Sequence, residues 1–158
     1  FLEAKRFPIS EFSSYEKFSL SENDIVLGMD RPWISSGLRV AMLKKQHLPC
    51  LLVQRVMRLR TTKELCAEYL YILMQSDSFL KHILGNQTGL GVPHISGKTI
   101  GSYNFYLPTI DTQTSLVEKF SETEKDISQL KNIFNSKLKN LAFLKSSILA
   151  QELQSEAA

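Results

Sequence analysis

The feature that most constrains the fold is a C-terminal stretch, residues 112–154, that contains no glycine and no proline. Residues with high helix propensity are frequent in it, so it predicts one long helix. A helix of about 40 residues is about 60 Å long, because each residue adds 1.5 Å. That length exceeds the diameter of a small domain, so we expect the helix to protrude and to need a partner helix. The alternative is a helix that folds back on its own domain or breaks in two.

Apolar residues recur along this stretch with alternating spacings of four and three, which is typical of the contact seam of a coiled coil. Thr123 and Lys137 are polar exceptions within the pattern. Ser115 and Glu118 have the spacing of a capping box, which predicts a helix start near Ser115. The apolar members, which we call the helix stripe and expect to form an interface, are Leu116, Phe120, Ile127, Leu130, Phe134, Leu141, Leu144 and Ile148.

The preceding residues predict a small mixed domain with short strands and two helices. Thr61 and Glu64 form a second capping-box match, so we expect the first helix to run from there to about Gln75. The expected strands are residues 24–28, 39–43, 51–59 and 100–107, and the expected second helix is residues 79–84. The fold class is therefore α+β, with a mixed domain at residues 1–110 and a long coiled-coil-type helix at residues 111–158.

The charge of the chain is unevenly distributed, because residues 31–63 contain eight basic residues and no acidic ones. Such a stretch in a chain of mixed charge suggests an anionic partner, and nucleic acid is the leading candidate. The alternative is an incidental basic face on a coiled-coil interaction or scaffold protein. The eight residues are Arg31, Arg39, Lys44, Lys45, Arg55, Arg58, Arg60 and Lys63.

The sequence contains little that indicates catalysis, a metal site or a cofactor. It has no phosphate-binding loop, dinucleotide-binding motif or nucleophile elbow. Its three histidines do not have metal-ligand spacing with the cysteines. Glu3 and Lys5 match part of a nuclease motif, but no suitable acidic residue precedes them. We therefore expect a non-enzymatic binding protein without catalytic residues, metal or cofactor, and a small nuclease is the least favoured alternative.

Cysteine content and hydropathy predict the compartment. Two cysteines, Cys50 and Cys66, are too few for the disulfide framework of a secreted protein, so we expect free thiols and a cytoplasmic location. No apolar run approaches the ~20 residues that span a bilayer, so no membrane association is expected. The chain begins with Phe1 rather than methionine, which indicates part of a longer or processed protein.

Several segments, in their order along the chain, resemble the specificity subunit of type I restriction–modification enzymes. In the first, Asn23 occupies a position where that family usually has glycine. The family's usual first strand, which often contains tryptophan, is not recognisable here. The segments are residues 20–31 (a loop followed by a strand), 52–60 (the central strand), 68–73 and 77–83 (paired helices), 88–108 (the return to the spacer helix) and 138–149 (the end of that helix).

This resemblance implies a non-catalytic subunit in which a target-recognition domain reads one half of a split DNA sequence. In the family, two such domains are separated by two long antiparallel helices, which set the spacing of the half-sites and dock the methyltransferase subunits. With one domain and one helix, the chain resembles a C-terminal half or a truncated half-subunit. The implied partners are double-stranded DNA, the methyltransferase and restriction subunits, and a second half-subunit or a second copy of the chain bound through the long helix.

In such a domain, basic side chains would neutralise phosphates, and polar groups on loops would contact base edges. Arg31 and Arg39 are the leading candidates, because arginine can bind guanine with two hydrogen bonds. Arg55 and Arg58 lie on opposite faces of the expected strand, so at most one should face DNA. For each arginine the alternative is a surface charge or a pair with Asp24 or Asp30. The candidate contacts are Arg31, Ser35, Ser36, Arg39, Lys44, Lys45, Arg58 and Lys98.

Overall fold

The computed structural model describes residues 6–34, 37–85 and 94–155, and these confirm the α+β class. Short 3-10 turns lie at Ile9–Glu11, Glu16–Phe18 and Lys45–His47. The strands are β1 (Ile25–Gly28), β2 (Trp33–Ile34), β3 (Gly37–Leu38), β4 (Val40–Met42) and β5 (Val56–Leu59). The helices are α1 (Phe12–Tyr15), α2 (Ala67–Met74), α3 (Asp77–Gly85), α4 (Gly97–Gly101) and α5 (Ile110–Ser155).

The main sheet is antiparallel and has β1 at its centre, between β4 and β5. Ile25 and Leu27 on β1 are completely buried, while Val26 between them is only partly buried, because successive side chains of a strand point to opposite faces. The expected strands at residues 24–28 and 39–43 are confirmed as β1 and β4. The expected strand at residues 51–59 is confirmed only in its last four residues, β5.

The hydrophobic core lies between this sheet and helices α2 and α3. Phe79 of α3 is completely buried and makes an edge-to-face contact with Tyr103, with ring centroids 5.0 Å apart. Such a geometry is the favoured arrangement for an aromatic pair. The buried members of the core are Ile25, Leu27, Leu70, Met74, Phe79, Ile83, Ile95 and Ile100.

The predicted start of the first helix at Thr61 was wrong, because α2 begins at Ala67 after the N-cap residue Cys66. The first backbone N–H groups of a helix need partners from outside it. Here the backbone N–H of Cys66 donates to Oε1 of Gln113 at 2.8 Å. A side chain from a distant part of the sequence therefore supplies the partner that the local Thr61–Glu64 pattern was expected to supply.

The predicted strand at residues 100–107 was also wrong, because α4 occupies Gly97–Gly101 and no strand follows it within that described segment. Ser96 caps this short helix by accepting a hydrogen bond from the backbone N–H of Thr99 at 3.0 Å. Serine at an N-cap offers the backbone a local hydrogen bond that competes with strand pairing. The apolar residue Ile100 is buried in the core as part of this helix.

Helix α5 begins at Ile110, one residue before the expected helix range 111–158 and five residues before the capping-box match at Ser115. Gln113 in its first turn is completely buried and holds two other segments. Its amide nitrogen donates to the carbonyl oxygens of Glu64 and Pro108 at 2.9 and 2.8 Å, and its amide oxygen accepts from Cys66. A buried amide with three partners fixes its surroundings strongly, because losing any one leaves a buried polar group unpaired.

The described residues up to Val117 form one compact unit, and those from Glu118 onward form a second unit. The predicted boundary between residues 110 and 111 stays a prediction. Helix α5 has 46 residues, which corresponds to about 69 Å at 1.5 Å per residue. All side chains described from Glu118 to Leu153 are exposed, including Phe134 at 62%. None of the helices in the described ranges has the length and apolar content needed to cross a bilayer.

Candidate nucleic-acid interface

Three side chains contact Asp30, two residues after the end of β1, and we call Asp30, these three residues and the adjacent Arg31 the Asp30 cluster. Arg55 Nη1 donates to Asp30 Oδ2 at 2.6 Å, and Nδ1 of His94 lies 2.6 Å from Oδ1. Arg39 Nη1 donates a longer bond of 3.5 Å to the Asp30 carbonyl oxygen. Arg31 follows directly in the chain and is exposed. Three arginines against one carboxylate leave the cluster with two positive charges.

Backbone hydrogen bonds at the end of β1 bring these segments together. The N–H of Met29 donates to the carbonyl oxygen of Arg55, and the N–H of Ile95 donates to that of Met29, both at 2.8 Å. The N–H of Gly28 donates to the Arg39 carbonyl at 2.8 Å. A Cβ atom on Gly28 would lie 3.3 Å from Cβ of Arg39, so glycine permits this close approach of the two strands.

Two of the cluster's arginines have backbone conformations that are uncommon for residues with a side chain. The φ angles of Arg31 and Arg55 are 43° and 62°. Non-glycine residues with positive φ are few, and they concentrate at functional sites, where surrounding contacts hold them. For Arg55, the contacts that do so are the hydrogen bond from Met29 and the ion pair with Asp30.

The carboxyl group of Asp30 is held in its charged form. The hydrogen bond with His94 is the largest influence and lowers the pKa of Asp30; partial burial opposes it, and the hydrogen bond and charge of Arg55 lower the pKa further. An ionised carboxylate only accepts hydrogen bonds. A hydrogen bond from His94 to this carboxylate therefore requires the tautomer that carries a proton on Nδ1.

A second ion pair, at the opposite end of β1, has a different character. Asp24 is 1% exposed, and Arg60 binds both of its carboxylate oxygens, Nε to Oδ1 at 2.6 Å and Nη2 to Oδ2 at 2.7 Å. Burial is the largest single influence and raises the pKa of Asp24. The hydrogen bonds from Arg60 and the Ser21 N–H, with the charges of Arg60 and Arg58, outweigh burial, so the pKa is lowered. Arg60 thus stabilises the fold by pairing with a buried carboxylate.

The predicted DNA contacts do not all lie together. Arg31 and Arg39 belong to the Asp30 cluster, whereas Lys44 and Lys45 are exposed beyond the other end of β4. Lys44 lies five residue steps after Arg39 along an extended segment, which is about 16 Å at 3.3 Å per step. Lys98 is exposed on α4. Ser35 and Ser36 lie outside the described residues.

The structure separates Arg55 from Arg58 in a way that strand alternation did not predict. Arg55 precedes β5, and its side chain is 75% exposed. Arg58 lies on β5, is half-buried, and donates from Nη1 to the carbonyl oxygen of Ser19 at 2.9 Å. Arg55 and His94 were not predicted from the sequence as members of a site. Only the acid-free charge pattern pointed toward Arg55, and no local motif pointed toward His94.

Metal-binding side chains do not gather elsewhere in the described parts of the chain. Residues 6–34, 37–85 and 94–155 contain no group of three or more histidine, cysteine, aspartate or glutamate side chains placed to hold a metal ion. Asp30 and His94 form a pair whose other partner is an arginine, which repels a cation. What the Asp30 cluster offers chemically is a set of hydrogen-bond donors with net positive charge, suited to phosphate oxygens and to acceptor atoms on base edges.

Comparison with known proteins gives a family match over most of the chain. The family described as the type I restriction modification DNA specificity domain matches residues 8–140. The matched range includes the whole Asp30 cluster and most of α5.

Two similar proteins carry the same description in their names. The specificity subunit of the type I restriction enzyme EcoAI from Escherichia coli is 36% identical over 130 residues, which are 82% of this chain and 22% of that protein. The specificity subunit of the type I restriction enzyme MjaVIII from Methanocaldococcus jannaschii is 25% identical over 118 residues, 74% of this chain and 28% of that protein. The chain thus spans about a quarter of the length of these curated relatives.

The Asp24–Arg60 pair generates a prediction about stability. Asp24→Asn should lower the free energy of unfolding at pH 7 by about 2 kcal/mol, because it weakens hydrogen bonds to a buried charged group. Urea unfolding followed by the fluorescence of Trp33, the single tryptophan, measures this. Glu22→Gln, which removes the same charge at an exposed position, should leave stability unchanged.

The pH dependence of that difference follows from the lowered pKa of Asp24. A carboxyl with a depressed folded-state pKa contributes stability above its ordinary value, 3.8, and loses it as the pH falls through the folded-state value. The gap between the wild-type protein and Asp24→Asn should therefore be complete at neutral pH and close in acid. A gap that persists unchanged at all pH values would contradict this role for the ionised carboxylate.

Proposed function

The chain belongs to the type I restriction modification DNA specificity family, and on that premise we propose that its N-terminal unit recognises part of a DNA target sequence through the Asp30 cluster. The observation that supports this most is the concentration of three arginines and one histidine, around a single carboxylate, on an exposed surface. The family match covers these residues. We further propose that the chain acts as a recognition part of a larger enzyme and performs no catalysis itself.

The arginines of the cluster provide the chemistry for base recognition. Arg55 uses one guanidinium nitrogen, Nη1, to bind Asp30, so its other edge can face DNA. A guanidinium edge can donate two parallel hydrogen bonds to O6 and N7 of guanine in the major groove. Arg31 and Arg39 are exposed beside it. These three arginines are the proposed base contacts, and they also strengthen binding through phosphate neutralisation.

The lysines contribute affinity in this proposal, not base recognition. Lys44, Lys45 and Lys98 are exposed, and a lysine ammonium acts as a point charge on phosphate. The distance of about 16 Å between the Arg39 and Lys44 ends of β4 corresponds to about five base-pair steps along the axis of the DNA helix, at 3.4 Å each. Arg58, half-buried and bound to Ser19, is the least accessible of the predicted contacts, and Arg55 replaces it in the proposal.

The helix stripe supports a proposal about partners. Phe134, Leu141 and Leu144 are between 54% and 62% exposed, and a row of exposed apolar side chains on a long helix, although interrupted at Thr123 and Lys137, favours pairing with another helix. We propose a second copy of this chain, or the helix of another half-subunit, as that partner. The relatives are named as subunits of type I restriction enzymes, which supports methyltransferase and restriction subunits as further partners.

Fewer observations bear on the scaffold alternative and on the cellular compartment. A scaffold protein with an incidental basic face is not favoured, since a DNA specificity family matches residues 8–140, including the basic face itself. For the compartment we propose the cytoplasm, which two free thiols support, because reducing conditions there keep cysteines reduced. Burial raises the pKa of both Cys50 and Cys66, so both thiols favour their protonated, less reactive form.

DNA binding should be measurable directly in a mobility-shift titration. The wild-type protein should bind a mixed-sequence duplex at low salt, since the phosphate term needs no particular sequence. Arg39→Ala should weaken that binding and lower the slope of log affinity against log salt concentration by about one, as expected for one lost phosphate contact. Arg6→Ala, at an exposed arginine outside the cluster, should change neither. Equal effects of the two variants would remove Arg39 from the interface.

Self-association through the helix stripe should appear in sedimentation equilibrium. Phe134→Glu should raise the dissociation constant of the dimer by about tenfold or more for each of the two substituted copies. The reason is that a large apolar side chain loses its burial and a charge enters the seam. Phe143→Glu makes the same change on the same helix at a residue that is 75% exposed and off the stripe, and it should leave the dimer intact. A wild-type chain that stays monomeric at every concentration would contradict a homodimer.

A further inference from the structure

The centre of the proposed DNA-binding surface is a negative charge, which simple electrostatics does not explain. Asp30 is ionised, and phosphate groups of DNA repel a carboxylate. Surfaces that only attract DNA gain by having no acid among their basic residues. A carboxylate placed among three arginines therefore weakens their attraction for DNA phosphates. Its contribution must be something other than binding strength.

The position of the carboxylate shows what it does to its neighbours. Its two oxygens each bind a different side chain, Oδ2 binding Arg55 and Oδ1 binding His94, both at 2.6 Å. These partners come from segments 25 and 64 residues away. Its backbone carbonyl accepts from a third side chain, that of Arg39. The carboxylate thus orients side chains from two separate segments of the chain, while the 3.5 Å contact of Arg39 is with the backbone.

Exposure places the carboxylate behind the groups that it holds. The side chain of Asp30 is 23% exposed, whereas those of Arg55 and His94 are 75% and 52% exposed. An approaching DNA duplex would meet the cationic and imidazole groups before the carboxylate. Long arginine side chains lose conformational entropy when they are ordered, and a partner that orders them before binding reduces that cost at the moment of binding.

We infer that Asp30 is a positioning residue for base recognition, whose carboxylate holds Arg55 and His94 in the orientation that discriminates between DNA sequences. This inference rests on the proposed function and adds to it the residue that controls specificity. It also predicts the direction in which DNA affinity changes when the charge of Asp30 is removed. Removing the charge of Asp30 should strengthen binding to DNA of any sequence, and at the same time weaken the preference for the best sequence.

Three variants separate geometry from charge. Asp30→Asn changes both the charge and the hydrogen bonds of the cluster. Asp30→Glu keeps the charge and moves the carboxylate outward by one methylene group, so that it cannot hold both partners as Asp30 does. Glu22→Gln removes one negative charge from an exposed side chain before β1, so it reports the effect of charge alone.

The experiment uses the full chain and duplex DNA with a randomised central segment. Rounds of binding and amplification select the best duplex for the wild-type protein. Titrations then give the ratio of affinities for this duplex and for a scrambled one. The ratio should fall about tenfold for Asp30→Asn and Asp30→Glu, within the range that one well-formed arginine–base contact contributes, and stay unchanged for Glu22→Gln. Affinity for the scrambled duplex should rise in Asp30→Asn, rise less in Glu22→Gln because that charge lies at the opposite end of β1 and is screened by salt, and stay unchanged in Asp30→Glu.

The possible outcomes distinguish this inference from the proposed function. A wild-type protein that binds no duplex, or binds all duplexes equally, overturns both. A wild-type protein that discriminates, with Asp30 variants that retain its ratio, overturns only the positioning role. A purely structural role for Asp30 would lower both affinities together, along with the unfolding midpoint measured by Trp33 fluorescence, and this result would also overturn the inference. If Asp30→Asn does not fold, Asp30→Glu still decides, because it retains the ion pair's charge.

Discussion

Charge balance around β1 is the constraint on which the rest of the N-terminal unit depends. The acid-free segment 31–63 brings eight positive charges into a small domain, and like charges at short range oppose folding. The two aspartates at the ends of β1, Asp24 and Asp30, each hold one arginine from that segment. Since β1 is the central strand, these pairs tie the sheet to its own basic segment from both ends.

The two ion pairs differ in burial, and this difference separates a pair that stabilises the fold from a pair that presents groups to a ligand. Asp24 is almost completely buried and gives both carboxylate oxygens to Arg60, so that arginine is engaged by the protein itself. Asp30 divides its oxygens between Arg55 and His94, which remain largely exposed. The same kind of contact therefore stabilises the fold at one end of β1 and arranges donors for a ligand at the other. A count of basic residues does not reveal that division.

Local sequence patterns predicted those parts of the fold that local interactions determine. The short apolar run that ends at Gly28 predicted β1, and the glycine- and proline-free C-terminal stretch predicted a long helix. The start of α2 was predicted wrongly because the backbone N–H of its N-cap residue, Cys66, finds its partner in Gln113, 47 residues away. The strand expected at residues 100–107 was wrong because Ser96 caps a short helix there. Contacts between distant residues leave no periodic pattern in the sequence.

The same reason explains how much of the candidate site could be predicted. Arg31 and Arg39 followed from the charge pattern, because the acid-free stretch contains them. Arg55 and His94 belong to the cluster only through Asp30, which lies 25 and 64 residues from them. Strand alternation could not describe Arg55, since its positive φ places it in a turn before β5. The sequence can thus suggest which types of residue form the site, while the tertiary fold determines which particular residues come together in it.

The claim that the Asp30 cluster is the DNA-contacting surface can be tested most directly by nuclear magnetic resonance. Backbone amide signals of the isotope-labelled chain would be followed as a short mixed-sequence duplex is added at low salt, and again after salt is raised. The expected result is that the largest shifts fall at Arg31, Arg39, Arg55 and His94 and diminish with salt. Shifts that leave these residues unchanged and fall on other parts of the chain, or no shifts at all, would contradict the assignment.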